Sequence, residues 1–117
     1  MIKDTSVFLQ HILESIEDIE SYINGFDKQT FKEYQHRDKQ DAVLRRLEII
    51  GQAVRYLPDE YKLQHSEIEW HKALGMRNKL IHEYFGVDLD LVWYTVTEIP
   101  QSFKVQIKSL LQLENKE

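Results

Sequence analysis

The sequence contains no cysteine. That excludes disulfides, thiolate nucleophiles and cysteine-based zinc sites together, and it suits a cytoplasmic address. Only four glycines and two prolines interrupt the 117 residues, and they are too scattered for a glycine-rich phosphate loop. No apolar run approaches the ~20 residues that a membrane-spanning helix needs, so no membrane partner is expected. The opening Met1-Ile2-Lys3-Asp4-Thr5 lacks the basic segment and apolar core of a secretory leader. Alternation of apolar and polar residues never lasts beyond a few positions, which leaves little room for strands.

What is present is ordinary for a globular domain: 42% hydrophobic and 30% charged residues. The length fits one domain, 1–117, with one core. A net charge of -5 argues against a general nucleic-acid coat protein. It still permits a local basic cleft, for which Arg45, Arg46, Arg55, Arg77 and Lys79 are the candidates. On composition alone, scattered solvated charge is the simpler reading.

Helical periodicity recurs throughout, so the fold class is all-α: an up-and-down bundle of four to five helices. Leu9, Ile12, Ile16, Ile19, Ile23 and Phe26 form one apolar seam, predicting a helix from about Thr5 to Asn24 that stops at Asn24-Gly25. Asp27 is placed to cap a short helix through Phe31 and Tyr34, with a turn over Gln35-His36-Arg37. Asp38 is expected to cap a third helix ending near Leu57-Pro58. Its seam is Val43, Leu47, Ile50, Val54 and Leu57. Gly51, inside that helix, suggests close approach of a neighbour, with Gly75 the matching residue. Pro58-Asp59-Glu60-Tyr61 reads as a short helical turn. Ser66 is expected to cap a fourth helix that starts between Glu67 and Trp70 and stops near Gly86. Asp88 should cap a fifth, from Leu89 to about Leu113, kinked near Val96 by Pro100.

The fourth helix carries the residues that plain packing does not explain. At about 100° per residue, Trp70, Ala73, Leu74, Met76, Leu80, Ile81 and Tyr84 form one apolar arc. Arg77 falls in the middle of it, where a guanidinium needs an anion or a route to water. His82 lies roughly 140° away, near Asn78 and His71. Arginine can clamp a phosphate, histidine can move a proton near neutral pH, and a tyrosine hydroxyl can donate to an oxyanion or be modified. Together they suit metal-independent RNA cleavage. Taken singly, each has a plainer role: an exposed histidine, a core tyrosine, and an Arg77–Glu48 ion pair.

Other chemistries find less support. His11, His36, His65, His71 and His82 contain no pair spaced for a zincin-type site, so no metal is expected. The serines carry no local nucleophile signature.

The stretch Arg77-Asn78-Lys79-Leu80-Ile81-His82-Glu83-Tyr84, followed by Phe85-Gly86-Val87-Asp88, resembles the HepT-like HEPN proteins. Gly75-Met76, the run from Asp41 to Ala53 and Val92-Trp93 extend the resemblance over nearly the whole chain. It implies an α-helical RNA endonuclease toxin that needs no metal or cofactor and works as a homodimer with a shared cleft. It also implies a minimal nucleotidyltransferase antitoxin, of the MntA type, that transfers AMP to the motif tyrosine. Carried over by position, Arg77 would stabilise the phosphate, His82 would transfer the proton and Tyr84 would accept AMP. Asn78 would be secondary. Arg45 and Glu48, on the polar edge of the third helix, are the possible supporting residues. The alternative that the resemblance carries is a non-catalytic helical partner of the nucleotidyltransferase.

Overall fold

The computed structural model of the chain describes residues 2–74, 88–98 and 101–115. Among them there is no strand, and the all-α reading holds. The helices are α1 (Ile2–Ile23), α2 (Lys28–Lys32), a 3-10 turn (Tyr34–His36), α3 (Arg37–Tyr56), α4 (Asp59–Gln64), α5 (described over 70–74), α6 (Leu89–Glu98) and α7 (Gln101–Asn115).

The α1 seam is buried as its spacing requires: Leu9, Ile12, Ile16 and Ile19 lose nearly all exposure, while Ile23 and Phe26 are half-buried. On α3 the matching residues Val43, Leu47, Ile50, Val54 and Leu57 are buried. The two seams meet, and α1 packs on α3 along most of its length and on α7. Val92, Val96, Ile107, Leu110 and Leu111 close the core from α6 and α7. Polar ties fix the arrangement. Lys104 Nζ lies 2.8 Å from Glu20 Oε1, joining α7 to α1, and Arg46 Nη1 lies 3.5 Å from Asp18 Oδ2, joining α3 to α1.

The ends of the elements show where local chemistry decided. Gly25, with φ of 84°, occupies the left-handed region that an L side chain resists, and it ends α1 as expected. Asp27 caps α2, its Oδ1 accepting from Thr30 N–H at 2.8 Å. The predicted second helix is shorter than expected. It stops at Lys32, and Tyr34 belongs to the 3-10 turn.

Two expected caps are corrected. Asp38 does not cap α3: the helix begins at Arg37, and His36 precedes it without a side-chain cap bond. The 3-10 turn feeds directly into α3, with His36 N–H donating to Glu33 O at 2.9 Å. Asp38 sits instead in the first turn, where its charge favours the positive end of the helix. Ser66 does not cap the fourth helix either. It is exposed in a turn closed by Ile68 N–H to His65 O at 3.1 Å, and the helix starts at Trp70. Burial of Ile68 and Trp70 fixes that entry; a hydroxyl cap does not.

α3 ends where expected. Leu57 N–H donates to Ala53 O and Val54 O, each at 3.2 Å, and Pro58 follows. Lys62 Nζ donates to Val54 O at 3.0 Å, satisfying a terminal carbonyl from α4. Asp88 caps α6 as predicted, its Oδ1 accepting from Leu91 N–H at 3.1 Å. α6 is described to Glu98 and α7 from Gln101; Val96, the expected place of the kink, lies within α6, and Pro100 lies outside the described residues. Gly51 is buried, and its expected counterpart Gly75 also lies outside them.

Candidate functional site

The four motif residues, Arg77, Asn78, His82 and Tyr84, lie outside the described residues. The structure describes the residues that flank the stretch on both sides. Before it, Trp70 is buried and its Nε1–H donates to His65 O at 3.1 Å. Ala73 is buried and Leu74 packs against the core, while His71 is exposed. The apolar arc thus begins on the inward face, as the helical wheel requires. After the stretch, Asp88 caps α6, and Leu89 and Leu91 lie against the core. The described residues on either side of the motif in sequence are thus packed.

Arg45 and Glu48, the residues of α3 expected to border the motif, are described. Arg45 and Glu48 form an ion pair one turn apart, Nη1 to Oε1 at 3.0 Å. Arg45 is 63% exposed and Glu48 25% exposed at the side chain. Gln52 and Arg55 continue the same polar edge and are exposed. Arg46, the next candidate for a basic cleft, turns toward α1 and Asp18. Of the basic-cleft candidates on α3, Arg45 thus engages Glu48 and Arg46 braces the bundle. No group of residues suited to a metal ion occurs among the described residues.

A shallow groove of about 490 Å³ runs between α1 and α3. Phe8 and Tyr56 stack across it with centroids 5.9 Å apart, and Ser15 lies at its floor. A second hollow, of about 460 Å³, borders the start of α5 at Trp70 and His71.

Two features escaped the sequence reading. Gln40 is buried in the first turn of α3, and its Nε2 donates to Phe31 O at 2.8 Å and to Glu33 O at 3.0 Å. It fastens α2 to α3. At the other side of α2, Lys28 and Lys32 both reach Asp90 on α6. The Lys32 contact, with Lys28 nearby, holds the Asp90 carboxyl below its ordinary range. Partners separated by about sixty positions leave no local signal in a sequence.

Comparison with known proteins places this architecture. A family model described as "Ribonuclease HepT-like" matches residues 12–110, which include Arg77 to Tyr84 as well as Arg45 and Glu48. A protein of Methanocaldococcus jannaschii named "Gamma-glutamylcyclotransferase and putative RNase" is 42% identical over 112 residues. The match covers 96% of this chain and 50% of that protein, so the chain spans about half of that relative's length. A protein of Caldanaerobacter subterraneus named "Putative RNase" is 40% identical over 114 residues, covering 97% of this chain and 99% of the relative. A "Probable ribonuclease HepT" of Thermococcus cleftensis is 41% identical over 103 residues, covering 88% and 92%. No solved structure gives a significant match. With the family model spanning most of the chain and two of these relatives matched nearly end to end, the chain belongs to the ribonuclease HepT-like family.

Proposed function

We propose that the ribonuclease chemistry of this family is carried here by Arg77 and His82, in a metal-independent endonuclease that acts on RNA as a homodimeric toxin. The observation that carries the reading is the motif Arg77-x4-His82-x-Tyr84 within the matched span 12–110. In this mechanism the 2′-hydroxyl attacks the adjacent phosphorus as its proton passes to a base. The 5′-oxygen leaves with a proton from an acid, and the product is a cyclic phosphate. His82 supplies proton transfer, and Arg77 meets the charge that develops on the phosphoryl oxygens. Asn78 is an auxiliary polar group. The Arg45–Glu48 pair borders the site from α3, where it helps fix the charge around the phosphate.

Dimerisation answers the helical-wheel problem. Arg77 and His82 diverge by roughly 140° on one helix, but one chain's arginine can meet the other's histidine across a two-fold axis. Tyr84 is the acceptor for AMP from a minimal nucleotidyltransferase antitoxin, and the adduct would silence the cleft. The proposed setting is the cytoplasm; no helix among the described residues is long and apolar enough to cross a membrane.

The test is RNA cleavage in EDTA by protein whose intact mass shows no adduct. Wild type should cut RNA, and His82→Ala should not. Wild-type protein that is unmodified, binds a nucleotidyltransferase and leaves RNA intact would instead support the non-catalytic partner reading.

A further inference from the structure

We propose that the corner between α2 and α6, formed by Lys28, Lys32 and Tyr94, is a track that holds single-stranded RNA beside the motif. This inference rests on the ribonuclease reading above and adds the surface on which the substrate strand lies.

Lys32 Nζ is 2.9 Å and Lys28 Nζ 3.9 Å from the same oxygen, Asp90 Oδ1. Two cations share one carboxylate, so the cluster keeps an excess positive charge, and all three side chains are close to half exposed. Lys28 Nζ also stands 5.3 Å from the ring centroid of Tyr94, which is 55% exposed. An exposed ring beside paired lysines is the combination that binds a single strand without sequence preference: the ring stacks a base and the ammonium groups meet phosphates.

The surroundings favour this end of the molecule. Every cation–aromatic pair among the described residues involves the stretch 22–39. Besides Lys28 and Tyr94, Arg37 lies 4.7 Å from the Tyr34 ring, and Lys39 lies 5.6 Å from the Tyr22 ring. Tyr34 is 77% exposed. Of the acidic residues at this end, Asp90 is paired with cations, Asp27 and Glu33 keep their charge while accepting from neutral donors, and Asp38 is exposed. The body of α1, by contrast, exposes Glu14 and Glu17, which repel a polyanion. Position in the chain links the corner to the chemistry. α6 opens at Asp88, four residues after Tyr84, and four peptide units reach at most about 14 Å. The corner and the motif are therefore joined by a short stretch of chain.

The competing account makes Lys32–Asp90 a clasp between α2 and α6 and nothing more. The two accounts differ in sign for Asp90→Asn. A clasp predicts lower stability and no change in RNA affinity. The track predicts tighter RNA binding, because both lysines are released. Binding is read by fluorescence anisotropy of the full chain with a labelled, fully 2′-O-methylated 20-mer single strand, which lacks the attacking hydroxyl, across a salt series in EDTA.

Lys28→Gln with Lys32→Gln should weaken binding and reduce the salt slope by about 0.7 for each phosphate left without its lysine. Tyr94→Ala should weaken it by about 5- to 100-fold, and Asp90→Asn should tighten it several-fold. Lys108→Gln on α7 removes one positive charge elsewhere and serves as the control for net charge. The proposal is overturned if Asp90→Asn leaves affinity unchanged, or if neither Tyr94→Ala nor the lysine pair exceeds the control. That second result would fit a surface that meets a protein partner. Cleavage of unmodified RNA is measured separately. Binding without cleavage keeps the track and removes the ribonuclease reading; cleavage that ignores these variants does the reverse.

Discussion

Lys104 Nζ on α7 lies 2.8 Å from Glu20 Oε1 on α1, and Gln101 Nε2 reaches the other oxygen of the same carboxylate at 3.4 Å. The Lys104 hydrogen bond lowers the Glu20 pKa below its ordinary 4.5, and the Glu20 bond raises that of Lys104 above 10.5. The signs fix two pH windows. The Glu20 contribution is present above its unfolded value and is lost as pH falls through its lowered folded value. The Lys104 contribution is present below its unfolded value and is lost as pH rises through the raised folded value. Glu20→Gln should therefore lower Tm modestly above about pH 4.5, where the contribution is present, and converge on wild type at lower pH, which flattens the acid limb. An unchanged acid limb would show that the pairing does not persist in solution.

Gln40 bridges two backbone carbonyls from a buried position. Gln40→Ala removes both bonds and leaves Phe31 O and Glu33 O without that donor. The expected cost is about 1–3 kcal/mol in urea denaturation, with an unchanged m value. A loss below about 0.5 kcal/mol would mean that water replaces the amide there.

Gly25 separates conformation from packing. Its φ is 84°, and nothing lies within 4 Å of an added Cβ. Gly25→Ala should then cost about 1 kcal/mol through backbone strain alone. Gly25→Asn should cost less, because asparagine enters the left-handed region more readily. Equal losses for the two would point to packing rather than to φ.

These positions also show which parts of the chain were legible in its sequence. Asp27 and Asp88 were readable because a cap acts over three residues. The seams of α1 and α3 were readable because burial imposes helical spacing. Asp38 and Ser66 misled because each resembles a cap locally, while a 3-10 turn and the burial of Ile68 and Trp70 set the actual entries. Gln40 looked like any polar first-turn residue; only the fold brings Phe31 O and Glu33 O to it. Lys28, Lys32 and Asp90 are joined by topology, which no local pattern records. The motif was legible from its spacing and its resemblance to a family. Its mutual geometry falls outside the described residues, so the roles of Arg77, His82 and Tyr84 rest on chemistry and family.

Substitution at those residues separates three functions that the proposal assigns to one stretch. Arg77→Ala and His82→Ala should each reduce RNA cleavage by about 100-fold or more, as expected when a group acting at the transition state is lost. Their helical circular dichroism should match wild type. Tyr84→Phe should keep most cleavage but gain no AMP when incubated with a nucleotidyltransferase partner and ATP, as read by intact mass. It should therefore stay toxic when the partner is co-expressed. Arg45→Ala should fall between these extremes. Arg45 is largely exposed and holds Glu48 from one side, so its loss should raise KM or shift the pH profile more than it lowers kcat. If His82→Ala keeps full activity while Arg45→Ala abolishes it, the chemistry lies on α3 and the motif assignment fails.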